Sequence, residues 1–160
     1  MLDFIIRSTT PEDKQWIEAF IIEQWGASSA VAHGVVYYPH ELPGFAAMQN
    51  TTPVGLVTYH ILGKTCEIVT IDSEQPGIGI GTALIASVKE ASTKIGCMKL
   101  WLVTTNDNLE ALGFYQKRGF VLVKIHRNAV EKSRQPKPSI PLFGIEGIPI
   151  RDEIELEMQL

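Results

Sequence analysis

Glu67-Ile-Val-Thr-Ile-Asp-Ser-Glu-Gln-Pro-Gly-Ile-Gly-Ile-Gly-Thr-Ala-Leu84 reads as a strand, a glycine-rich turn and the start of a helix. The β-branched run Ile68, Val69, Thr70 and Ile71 suits a buried strand. Gly77, Gly79 and Gly81 let the backbone approach a ligand with no Cβ in the way. A helix is then predicted to open at Thr82, with Leu84, Val88, Ala91 and Ile95 on one face and Gly96 at its C-terminal cap. Unpaired amides at a helix start, with the positive end of the helix dipole behind them, form an anion site. The turn is therefore expected to hold a pyrophosphate.

Two common nucleotide motifs fail on residue count. A dinucleotide fingerprint needs a glycine where this chain has Thr82 or Leu84, and the acidic ribose partner about 20 residues on is missing from Lys99-Leu-Trp-Leu-Val103. A Walker loop needs Gly-Lys-Ser/Thr, but Gly81 is followed directly by Thr82.

The 160 residues, 45% hydrophobic and 20% charged, fit one domain with a proper core. A net charge of −4 without a Lys/Arg run argues against nucleic acid as a partner. No apolar run approaches the ~18 residues of a membrane span. Met1 to Arg7 has an early acidic residue and no long apolar core, so no signal peptide is expected and the cytoplasm is the default location. Cys66 and Cys97 read as buried reduced thiols, and the four histidines show no metal-ligand spacing.

Residues 3–8 read as a strand, and Thr10 with Pro11 as the start of a helix carrying Trp16, Ile17, Phe20 and Ile21 inward. Val35 to Tyr38 reads as a strand. Phe45–Gln49 and Val54–Leu62 read as a hairpin around Asn50-Thr-Thr-Pro53. After the glycine turn and its helix come a strand at Lys99–Thr105 and a helix through Lys117 with Asp107 as N-cap and Glu110 closing a capping box. A strand at Phe120–Ile125 and a short helix at Asn128–Arg134 follow. Residues 135–149, rich in Pro and Gly, form either an ordered excursion or a mobile flap. Glu153 to Met158 alternates strictly and is read as a strand with three carboxylates on a solvated face.

Two motifs then combine. Asn108-Leu-Glu-Ala111-Leu-Gly-Phe-Tyr115-Gln-Lys-Arg-Gly119-Phe120 resembles the N-x-x-A-x-x-x-Y-x-x-x-G-F signature of the GNAT N-acetyltransferases. Gly79-Ile-Gly81-Thr-Ala-Leu84 resembles the G-x-G/A heart of that superfamily's acetyl-CoA loop, in the family's order and with one helix and one strand between. Pro76 departs from the family's usual Gln or Arg, with Gln75 one step off, and removes an amide from the turn.

The resemblance implies an α/β fold of the α+β kind: a mixed, mostly antiparallel sheet flanked by helices, with a parallel strand pair splayed at the cofactor site. It implies one acetyltransferase domain over 1–160. Residues 1–62 would shape the acceptor side, 66–126 the acetyl-CoA core, 135–149 the excursion and 153–159 the last strand. It also implies acetyl-CoA as acyl donor, no metal, and a small-molecule or peptide amine as acceptor, with homodimerisation left open. Cofactor contacts fall on Ile71, Gly77, Ile78, Gly79, Ile80, Gly81, Thr82, Asn108 and Tyr115. Glu67, or Asp72 at the other end of the same strand, would take the amine proton, and Tyr115 would protonate the leaving thiolate. The amide near Ile71 would face the thioester oxygen. Trp25, Tyr37 and Tyr38 read equally as acceptor-pocket lining or as core. A CoA-binding sensor with the same fold and little turnover is the alternative.

Overall fold

A computed structural model describes residues 3–160; Met1 and Leu2, the start of the segment read as lacking a signal peptide, lie outside the described residues. Its strands are β1 (Ile5–Ser8), β2 (Ala30–Ala32), β3 (Val35–Tyr37), β4 (Gly44–Gln49), β5 (Thr52–Leu62), β6 (Thr65–Ser73), β7 (Lys99–Thr105), β8 (Val121–His126) and β9 (Glu153–Gln159). Its helices are α1 (Lys14–Trp25), α2 (Ile80–Lys94), α3 (Leu109–Lys117) and α4 (Ala129–Arg134). Seven strands hydrogen-bond in the order β1-β4-β5-β6-β7-β9-β8, and β2-β3 is a separate two-stranded ladder. The seven-stranded sheet is mostly antiparallel with β6 and β7 as its parallel pair, the fold class expected from the sequence.

The chain divides into two compact units: Val31–Tyr37 and Trp101–Gln159 form the second, and the rest of the described chain the first. In the first, β1 and β4 pair antiparallel, as do β4 with β5 and β5 with β6. Ile17, Phe20 and Ile21 of α1 pack with Leu56, and Trp16 lies partly buried against them. Leu84 and Val88 of α2 are fully buried, each worth roughly 1.5–3 kcal/mol relative to exposure. Ile95, expected on that face, is exposed instead because it lies past the last turn, as the C-cap. Cys66 and Cys97 are buried free thiols, and burial pushes the Cys66 thiol up to about 12. Pro53 belongs to β5 rather than to the turn, opposite Met48. The pairing with β6 begins only at Gly55, so its missing N–H breaks no bond on that side.

An ionic anchor closes the front of α1. Arg7 donates to both carboxylate oxygens of Asp13 (2.9 and 2.8 Å), while the Trp16 indole and the Thr10 amide donate to the same group at 2.7 Å each. The Arg7 guanidinium holds the Asp13 carboxyl well below the usual carboxylate range; burial opposes that, and the Trp16 and Thr10 bonds reinforce it.

In the second unit, β8 and β9 pair antiparallel, with a register slip at Val123. Leu102, Phe120, Val130 and Leu156 are buried there. The three carboxylates of β9 do not share one solvated face. Glu153 is buried and accepts the His33 amide (3.0 Å), and Glu155 meets His126 (3.0 Å). A carboxylate that caps a backbone donor stays inside because the bond replaces its water.

Candidate active site

The glycine turn connects β6 to α2. The helix opens at Ile80, two residues before the position read from the sequence, with Gly79 as N-cap. Gly79 lies at φ 92°, ψ 9°, and Gly77 at φ 87°. These left-handed values are strained for any residue with a Cβ. A Cβ built at either glycine meets nothing within 4 Å, so the turn faces open space and it is backbone conformation that selects glycine there. The N-cap, Gly79, has no side chain to take up a first-turn amide, and the Ala83 amide closes the first turn on the Gly79 carbonyl (3.0 Å). The N-terminus of this 15-residue helix, with glycine as its cap, presents backbone amides of the kind that bind an anion.

The turn is held from below. Ile80 is 1% exposed and lies against Gly55 of β5, where a Cβ would come 2.6 Å from Ile80 Cγ2. Gln75 and Gln49 exchange side-chain amide bonds of 2.9 and 2.7 Å, and the Glu74 amide bonds the Val54 carbonyl (2.9 Å). Sequence reasoning missed Gly55 and the Gln49–Gln75 pair. An isolated glycine inside a strand run is a signal of close backbone approach that identifies Gly55. A glutamine pairing across 26 residues leaves no sequence signal.

Glu67 and Asp72 stand at opposite ends of β6. Glu67 is buried, in register with His60. Ile71 is partly buried opposite Val57. Asp72 accepts the Trp25 indole N–H at 2.8 Å. Burial raises its carboxyl to about 6, and the Trp25 bond pulls the other way. Trp25 is exposed at the end of α1 and Tyr38 is exposed beside His40, so neither is core; Tyr37 is half-buried and meets His33 edge-on.

Asn108 and Tyr115 share α3 in the second unit. The N-cap is Asn108, whose Oδ1 accepts the Ala111 amide (3.1 Å), and not Asp107. Asp107 is engaged elsewhere, accepting from the Thr105 hydroxyl (2.5 Å) and the Ile145 amide (3.2 Å). Tyr115 is buried, edge-on to both Phe114 and Phe120. The excursion after α4 is ordered by side chains outside it. Asn106 donates to the Pro149 carbonyl and accepts the Arg151 and Asp152 amides, all at 2.9 Å. Arg134 donates to the carbonyls of Ile140, Pro141 and Ile150.

Glu67, Ile71, Asp72 and the glycine turn thus lie on one strand–turn–helix of the first unit, and Asn108 and Tyr115 on one helix of the second. Among the described residues, no group of three His, Cys, Asp or Glu side chains is placed to hold a metal ion. No helix among them is long and apolar enough to cross a membrane.

The sequence pattern of the acetyltransferase (GNAT) family matches residues 5–120, and the chain belongs to that family. It is 42% identical over 142 residues to protein YdhI of Bacillus subtilis (strain 168), covering 88% of this chain and 89% of that one. In fold it is similar to the IAA acetyltransferase from Bacillus cereus ATCC 14579 (TM-score 0.72, 23% identity, 98% and 99% of the two chains covered). It is similarly close to a GNAT family acetyltransferase from Elizabethkingia anophelis with acetyl-CoA bound (TM-score 0.69, 23% identity, 99% of each chain covered).

Proposed function

We propose that residues 1–160 act as one N-acetyltransferase domain that moves an acetyl group from acetyl-CoA directly to a primary amine on a small molecule or peptide. The observation that carries this reading is the glycine turn. In a chain of this family, a helix start with Gly79 as its N-cap and with Gly77 and Gly79 at left-handed φ faces open space. The amides of Gly77 through Thr82 would cradle the pyrophosphate, Ile71 and Asn108 would contact the rest of the cofactor, and a cytoplasmic protein would find acetyl-CoA at hand.

A free alkyl ammonium has a pKa of about 10.4 and must lose a proton before it can attack. Glu67 holds the family's position for that base. Asp72 is the second carboxylate of the strand, and its pKa near 6 suits a base at neutral pH. As the new C–N bond forms and the C–S bond breaks, Tyr115 supplies the proton that leaves the sulfur as a thiol.

Pro76, which has no N–H to give the cradle, favours a second reading, a CoA-binding sensor with little turnover. Calorimetric titration with acetyl-CoA, using NADH and ATP as controls, tests the binding shared by both readings. Selective acetyl-CoA binding followed by amine-dependent thiol release supports the enzyme. Binding without release from any amine supports the sensor, and a folded protein that does not bind acetyl-CoA removes both.

A further inference from the structure

Strand β8 exposes apolar surface that burial within one copy of the chain leaves unexplained. Val121, Leu122, Val123 and Ile125 are 59%, 55%, 47% and 60% exposed, and Lys124 between them is exposed as well. An edge strand with one packed face hides every second residue; here both sets are open. β8 is also last in the strand order, so among the described residues no strand lies beside its outer row of N–H and C=O groups. Against this stand two usual protections of an edge, one lysine and the register slip at Val123. Half-exposed aliphatic side chains in that number make a patch of a few hundred Å², the size at which an apolar patch marks an interaction site.

We propose that the outer edge of β8 pairs antiparallel with β8 of a second copy of this chain. Two features select a second copy over a foreign strand. Pairing about a two-fold axis at Val123 sets Val121 against Ile125 and Leu122 against the aliphatic stem of Lys124, each from the other copy, with no like charges opposed. Charge points the same way. Residues 101–159 hold eight basic and eight acidic side chains, so this part of the chain does not repel its own copy although the whole chain carries −4. The strand itself offers one charge, Lys124, as a handle for a charged partner.

Sedimentation velocity of the full chain over a concentration series tests this. The wild type is expected to run at twice the 17.7 kDa monomer mass. Leu122→Lys, which opposes Lys124 of the other copy, should weaken the dimer about tenfold or more. Leu122→Glu, which meets that lysine with opposite charge, should retain it. Both sites are exposed, so the melting temperature extrapolated to low concentration should not change, and acetyl-CoA titration gives an independent check of folding. A wild type that stays monomeric into the millimolar range overturns the proposal and leaves the edge to a foreign strand. A dimer indifferent to both charges overturns it too, by placing the interface elsewhere.

Discussion

Gly55→Ala tests how the anion site is supported. The position is ordinary extended backbone, so alanine brings no φ penalty, only volume. The new Cβ would sit 2.6 Å from Ile80 Cγ2 and 3.3 Å from both the Ala47 Cβ and the Asp72 carbonyl oxygen. Carbon atoms rest about 3.5–4.0 Å apart, so Ile80 must retreat by roughly 1 Å. Ile80 is fully buried and is the first residue of α2, so the helix start moves with it. Overpacking of this kind costs about 1–3 kcal/mol, which leaves the protein folded but lowers its melting temperature by about 2–4 °C per kcal/mol. If half of a 3 kcal/mol strain is felt at the amides, acetyl-CoA binds about tenfold more weakly. Calorimetry reads the affinity and thermal unfolding the stability. Ile80→Leu removes the clashing Cγ2, so the double variant should lose less than the two single variants together. Wild-type melting and affinity in Gly55→Ala would refute the support role of β5.

Three further outcomes are expected. Tyr115→Phe should keep acetyl-CoA affinity while turnover falls about 100-fold where thiolate protonation limits the rate; unchanged turnover across pH removes Tyr115 from the chemistry. In Asp72→Asn the acid limb of the kcat/KM profile, which should rise through about pH 6 as the base deprotonates, should disappear; an unaltered limb leaves the role to Glu67. Because the folded Asp13 carboxyl lies below its unfolded range, its contribution is full above about pH 4 and is lost as pH falls further. Asp13→Asn should therefore cost about 1.5–3 kcal/mol at pH 7 and flatten the acid end of the stability curve measured by denaturant. A curve parallel to the wild type would reassign the acid sensitivity.

Much of the fold was legible in local pattern. The β-branched run of β6 specifies a strand by propensity, the alternation of β9 a strand by period, and the Asn108–Phe120 stretch a helix by its capping residues and its family resemblance; none of these needs a distant partner. What escaped the sequence depends on distant partners or on backbone angles. Thr82 looked like the helix start because it is a residue type that caps helices, but Gly79 turns the chain earlier by adopting a φ that sequence does not display. Asp107 and Asn108 are adjacent and both capable caps; the choice falls to Asn108 while Asp107 is occupied by Thr105 and Ile145. The three-residue strand β2 is too short to show a period. The solvated reading of β9 failed at Glu153 because the amide it satisfies lies 120 residues away.

The restraints on the excursion have an evolutionary consequence. Asn106, Asp107 and Arg134 grip peptide groups in it and just after it: the Ile145 amide and the carbonyls of Ile140, Pro141 and Pro149 within, and the Ile150 carbonyl and the Arg151 and Asp152 amides beyond. Peptide groups are common to all residues, so side chains along the segment can drift without loosening it. Gly144 and Gly147 are exceptions: a Cβ at Gly144 would land on the Asp107 carboxylate, and Gly147 lies at φ 75°, which strains any residue with a Cβ. Descendants of this scaffold can therefore try new loop surfaces at little risk to the fold, with the genetic constraint confined to a few positions that supply the grip.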